Sequence, residues 1–104
     1  MYCEDVDLSW RARAKHFPIF TCPRALFLHS VSNRPHNPET EKMILSSGVL
    51  LARKWDNPHF ERRLEKKLAT LGFKSPNTLP EIVPESWRTI PDFNHNFTFS
   101  RARW

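Results

Sequence analysis

Residues 37–72 read NPETEKMILSSGVLLARKWDNPHFERRLEKKLATLG, and this stretch decides the fold. Asn37 is a favoured N-cap residue, and Pro38 fits the first position of a helix. The same signal returns at Asn57 and Pro58. Because a proline at the first helical turn starts a helix and one in the interior breaks it, the stretch predicts two consecutive helices.

Apolar spacing supports both helices. In each helix the residues on one face recur every three or four positions. The first stripe comprises Met43, Ile44, Ser47, Leu50, Leu51 and Trp55, and the second comprises Phe60, Leu64, Leu68 and Leu71. Gly72 fits the position after a helix end, and Pro76 lies beyond it. We therefore predict helices at about 38–55 and 58–71, with stripes that pack either on each other as a hairpin or on a partner.

A head, residues 1–36, precedes the helical pair of residues 37–72. Its acidic start, with Asp5 or Asp7 as N-cap, allows a short helix that ends near Phe17. The helical residues would include Leu8, Trp10, Ala12 and Ala14. The segment that follows, from Phe17 to Pro23, has apolar residues between prolines and is expected to be extended.

A tail, residues 73–104, follows the helical pair and holds the prolines 76, 80, 84 and 91. Prolines at this density forbid regular strand pairing, so an extended tail is predicted, with one helical turn at 84–87. Near the end, residues 93–99 alternate between aromatic or histidine and polar side chains, a period of two. Such a segment could add to the sheet edge of a partner. Alternatively, the tail folds back over the two stripes and closes a small core.

Composition shapes the expected fold class. The 104 residues include only two glycines, against nine prolines, four tryptophans and eight phenylalanines. Because glycine serves positive-φ turns, this balance favours a chain that is mostly irregular and extended, with some α-helix and no independent globular core. We therefore expect the chain to order on a partner, with its aromatic residues as anchors. The isolated protein is expected to fold poorly.

The formal net charge is +5, from 16 basic and 11 acidic residues. This excess is spread along the chain and suits an acidic polymeric partner, either RNA or tubulin. The only cysteines, Cys3 and Cys22, lack metal-site spacing and are expected to be free thiols. No apolar run is long enough to span a membrane, and the start of the sequence does not resemble a secretory signal.

A search for catalytic patterns finds none. The two glycines cannot build a phosphate loop or a nucleophile elbow. The acidic residues lie where helix starts or solvation explain them. We therefore expect no enzyme activity, no cofactor, no metal and no small-molecule substrate.

Large aromatic and arginine side chains carry most of the energy at protein interfaces. On this basis the sequence predicts a set of partner-binding residues. They are Trp10, Trp55, Phe60, Trp87, Phe93, Phe97, Phe99, Arg101, Arg103 and Trp104.

In composition and style, the whole chain resembles the small microtubule inner proteins of ciliary and flagellar doublets. The shared features are short helices, proline-rich extended runs and scattered tryptophan, phenylalanine, arginine and asparagine. The resemblance implies a structural protein that staples tubulin and neighbouring axonemal proteins in the cytoplasm, within the cytoskeleton of a cilium or sperm flagellum. The alternative is a small ribosomal or mitoribosomal protein that contacts rRNA and neighbouring proteins. An independent helical adaptor is a third class, and it would require a dispensable tail.

Overall fold

The computed structural model describes residues 3–20, 22–25, 37–91 and 93. Within these residues the protein is rich in helix and contains no strand. The elements in chain order are α1 (Glu4–Ala14), α2 (Pro38–Lys54), α3 (Pro58–Thr70) and a 3₁₀ turn (Glu85–Trp87). The predicted helical pair, its break and the single late turn are confirmed. Of the alternating stretch at 93–99, only Phe93 lies within the described residues.

The starts of α2 and α3 follow the repeated Asn-Pro signal. Asn37 Oδ1 accepts a hydrogen bond from the amide of Glu39 at 3.0 Å. Asn57 Oδ1 accepts one from the amide of Phe60 at 2.9 Å. Each asparagine therefore satisfies an amide that the helix itself leaves without a partner.

Helix α1 starts differently from the prediction. Cys3 occupies the N-cap position with φ 67° and makes no side-chain capping bond. Asp5 and Asp7 lie inside the first turns, where their charge suits the positive end of the helix. Asp7 is thereby free to turn toward α2.

All three helices end in the same way, with a residue in the left-handed region followed by a hydrogen bond back across the last turn. This is the Schellman arrangement. The left-handed residues are His16 (φ 60°), Asp56 (φ 53°) and Gly72 (φ 80°). The closing bonds run from Phe17 N to Ala12 O, from Asn57 N to Ala52 O and from Phe73 N to Leu68 O. Only the last of these ends uses glycine, so glycine scarcity does not prevent compact chain reversals here.

The helices and the tail share one buried core. Helices α2 and α3 pack against each other, and α1 and the tail add to them. The connected buried residues are Trp10, Leu45, Val49, Leu51, Ala52, Trp55, Phe60, Leu64, Leu68, Val83 and Phe93. The expectation of a chain without a core therefore does not fit the described residues. The described part of the tail, residues 73–91 and Phe93, folds back over the helices, which is the alternative that the sequence left open.

The buried face of α2 is wider than its predicted stripe. Leu45 and Val49 are almost fully buried, although the stripe omitted them. Met43, which the stripe included, is exposed. The reason is that α2 is covered by α1 and the tail as well as by α3, so a single narrow face does not describe its contacts.

Arg53, in the last turn of α2, joins three parts of the chain. Its Nε donates to Glu61 Oε1 of α3 at 2.6 Å. One terminal nitrogen donates to the carbonyl oxygens of Pro76 and Thr78 in the tail. The other donates to Glu65 Oε1 of α3 at 3.0 Å and to the Ser75 hydroxyl, which lies at 3.3 Å. The hydrogen bond with Glu61 raises the pKa of Arg53 above its ordinary value, so this cation stays charged.

Replacing Arg53 with alanine should lower the free energy of unfolding by about 2–3 kcal/mol, because two half-buried glutamates and two tail carbonyls lose their donor. The matched control is Arg62→Ala, which removes the same charge from an exposed position of α3 and should change stability by less than about 0.5 kcal/mol. Urea unfolding followed by circular dichroism measures both. Equal midpoints for the two variants would show that Arg53 does not join the elements.

Candidate partner-binding surface

Four of the predicted anchor residues form an aromatic cluster inside the protein. The cluster consists of Trp10, Trp55, Phe60 and Phe93. The rings of Trp10 and Trp55 meet edge to face with centroids 5.4 Å apart. Phe93 lies 5.0 Å from Trp10 and 4.8 Å from Phe60. Each of these side chains is at most 6% exposed.

This burial corrects their assignment as surface anchors. The sequence argument rested on residue type alone, because aromatic side chains carry much of the energy at interfaces. Their neighbours in the fold come from distant elements: α1, the end of α2, the start of α3 and the tail each contribute one ring. The cluster therefore holds the fold together and does not face a partner.

Asp7 fixes the cluster at one edge. Its Oδ1 accepts a hydrogen bond from the Trp55 indole at 2.9 Å. Its Oδ2 accepts from Lys54 Nζ at 2.7 Å and lies 3.1 Å from Arg11 Nε. Because a buried indole N–H needs an acceptor, this carboxylate sets how α1 docks on the end of α2.

The remaining predicted anchor residues fall into two groups, one described by the structure and one outside the described residues. Trp87 is half-buried in the 3₁₀ turn and packs against the core. The other predicted anchors lie outside the described residues. They are Phe97, Phe99, Arg101, Arg103 and Trp104.

The exposed apolar side chains are different ones from those predicted. They cluster in sequence directly after α1, in the segment Phe17-Pro18-Ile19-Phe20, which we call the apolar segment. Phe17 is 63% exposed and Phe20 is 84% exposed. Other exposed apolar residues are Leu8, Met43, Leu71, Leu79 and Ile82. The sequence showed the segment to be extended and apolar, but nothing local distinguishes its aromatic residues from the buried ones.

The polar chemistry of the described residues is structural. Among them, no group of three or more histidine, cysteine, aspartate or glutamate side chains could hold a metal ion. Within the same residues, no helix combines the length and the apolar character that crossing a membrane requires. Burial raises the pKa of the Cys3 thiol to about 12, and the carboxylates of Asp5 and Glu4 add to the shift. Cys22 is an exposed free thiol.

Comparison with models of protein families, with curated proteins and with solved structures finds no match in any of the three.

Phe93→Ala should destabilise the fold by about 3 kcal/mol or more, because it opens a cavity between the rings of Trp10 and Phe60. Leu79→Ala is the control, since Leu79 is 83% exposed and should cost less than about 0.5 kcal/mol. Thermal unfolding followed by near-ultraviolet circular dichroism reports on the packed aromatic rings. If the two variants unfold at the same temperature, Phe93 is not part of the core.

The two thiols should differ in reactivity. At about pH 8, a thiol with the raised pKa of Cys3 holds on the order of 1,000-fold less thiolate than an ordinary cysteine, so iodoacetamide should modify Cys22 first. Mass spectrometry of peptides over a time course measures both rates in the native protein. In denaturant the two rates should converge. Equal rates in the native protein would contradict the burial of Cys3.

Proposed function

We propose that this chain is a non-enzymatic structural protein that staples a large assembly, and that the assembly is the doublet microtubule of a cilium or sperm flagellum. The protein would act there as a microtubule inner protein, in contact with tubulin and with neighbouring axonemal proteins. Its place in the cell would be the cytoskeleton of the axoneme.

The observation that carries the proposal is the exposure of the apolar segment, since the other aromatic residues that the structure describes are buried or half-buried. Phe17 and Phe20 leave most of their surface in water, and each forgoes about 2 kcal/mol of burial by doing so. The amide of Phe17 closes the end of α1, so the apolar segment begins at a defined point of the fold. A segment with two exposed aromatic rings suits docking on a partner surface.

A second extended run supports stapling. Residues 73–84 have no regular secondary structure, yet Arg53 and the bond from Val83 N to Lys54 O hold the run against α2. Its exposed side chains include Leu79 and Ile82. The apolar segment and this run provide two separate apolar contacts, and a protein that joins neighbouring subunits needs at least two.

The choice of tubulin rests on charge and composition. A net charge of +5 favours contact with an acidic filament. The proline-rich, aromatic-rich composition resembles that of small microtubule inner proteins. The acidic residues, 11 in number, make a chain embedded in rRNA the weaker alternative.

We expect the full chain to pellet with microtubules when it is present during polymerisation of purified tubulin, and to pellet less with microtubules that are already closed. Phe17→Ser/Phe20→Ser should weaken this association by about tenfold or more, because two aromatic contacts are lost. Leu8→Ser/Met43→Ser is the matched control for loss of exposed apolar surface, because these side chains are exposed but belong to neither of the two proposed contacts. The control should therefore weaken association much less.

A tagged chain expressed in ciliated cells provides the second measurement. Retention in detergent-extracted axonemes supports the proposal. Recovery with ribosomes, with release by ribonuclease, would overturn it in favour of the ribosomal alternative. A wild-type chain that stays in the supernatant of the tubulin assay would also overturn it.

A further inference from the structure

Helix α3 carries an exposed face with only basic and neutral polar side chains. The residues of this basic face are His59, Arg62, Arg63 and Lys66, all exposed to solvent. Their spacing of three and four positions places them along one side of the helix. The opposite side holds the buried stripe of Phe60, Leu64 and Leu68.

The carboxylates of α3 do not reach this face. Glu61 and Glu65 are both held by Arg53, and the Ser75 hydroxyl also donates to Glu65 at 2.8 Å. Lys67, at the edge of the face, pairs with the buried Glu41 at 3.3 Å. Both carboxylates of α3 are therefore held at Arg53, away from the basic face.

The basic face is left with like charges at unfavourable spacing. Arg62 and Lys66 are four residues apart, and Arg63 and Lys66 are three apart. Like charges at these spacings destabilise a helix. Within the described part of the chain, none of these three side chains forms an ion pair. A face selected only for solubility would gain stability from carboxylates at these positions.

We propose that the basic face of α3 binds a run of carboxylates on a partner polypeptide. The proposal rests on the proposed function, in which the partner is a tubulin lattice, and it names the surface that meets acidic side chains. From His59 to Lys66 the face is about 10 Å long at the helical rise of about 1.5 Å per residue. An extended peptide covers that length with about three residues. The ligand is therefore a short glutamate- or aspartate-rich run.

A polypeptide fits this face better than a single-stranded nucleic acid does. Single-stranded nucleic acids are bound by basic side chains together with exposed aromatic rings on which bases stack. The phenylalanine of α3, Phe60, is buried in the aromatic cluster and offers no such platform. The basic side chains of this face can pair with carboxylates without an aromatic platform.

The test compares two charge-matched variants of the full chain. Arg62→Gln/Arg63→Gln/Lys66→Gln removes the basic face. Arg13→Gln/Lys15→Gln/Arg24→Gln removes the same charge from exposed positions elsewhere. Fluorescence anisotropy measures binding to labelled poly-L-glutamate, and thermal unfolding measures stability. The first variant should bind about tenfold more weakly than wild type, since three exposed charge contacts are lost, and the second should bind within about threefold of wild type.

The unfolding temperature distinguishes a binding role of these residues from a structural role. Because the face holds like charges, the first variant should unfold at the same temperature as wild type or higher. Binding by wild type should also weaken as salt is raised from about 50 to about 300 mM, as expected for exposed charges. Loss of stability together with loss of binding would overturn the inference, since the residues would then support the fold. Equal weakening of binding in both variants would also overturn it, because net charge alone would explain the result.

The tubulin pelleting assay separates this inference from the proposed function. If the first variant binds poly-L-glutamate and microtubules as well as wild type does, the inference fails and the proposed function stands. If wild type ignores microtubules but binds poly-L-glutamate through this face, the inference stands and tubulin is not the partner. If wild type binds a single-stranded RNA homopolymer more tightly than poly-L-glutamate, and the first variant loses that binding, the face is a nucleic-acid site and the inference is overturned.

Discussion

The guanidinium of Arg53 is the point where α2, α3 and the tail are joined. All of its N–H groups have acceptors, which are two glutamates, a serine hydroxyl and two main-chain carbonyls. The carbonyls of Pro76 and Thr78 belong to a run without regular secondary structure, so this side chain supplies donors that no strand supplies. A lysine could not replace it, because an ammonium group has fewer donors and no planar fork. Once the run is fixed, the tail is placed to bring Phe93 onto Trp10.

The helices were predictable because their signals are local. Asn37 and Asn57 accept the hydrogen bonds that their dipeptides indicated, and the break between α2 and α3 follows from the second of these signals. The left-handed residue that closes a helix was predictable only at Gly72. His16 and Asp56 adopt the same left-handed conformation without being glycine, at a cost of about 1–2 kcal/mol for an ordinary residue. Counting glycines therefore underestimated how compactly this chain can turn.

Whether an aromatic residue is buried or exposed could not be predicted from the sequence, because burial depends on contacts between distant segments. Trp10 and Phe93 lie near opposite ends of the chain and pack together, whereas Phe20, which has a similar local setting, is 84% exposed. The local sequence pattern does not distinguish the two buried residues from the exposed one. Within the described residues, the sequence therefore predicts the wrong aromatic residues to bind a partner. It does not predict that the apolar segment is a binding site. Only a fold that places the tail over the helices distinguishes the two groups.

A formed core changes the physics of binding for this protein. If the whole chain ordered on its partner, the interface would have to offset a conformational entropy cost of about 1–2 kcal/mol for each residue. Here the core buries its own aromatic residues, so binding to a partner does not have to offset the entropy cost of ordering the core. The same ion pairs that close the core draw Glu61 and Glu65 away from the solvent side of α3. Stability and surface charge are therefore linked, since Arg53 joins the elements and in doing so holds both carboxylates of α3 away from its outer side.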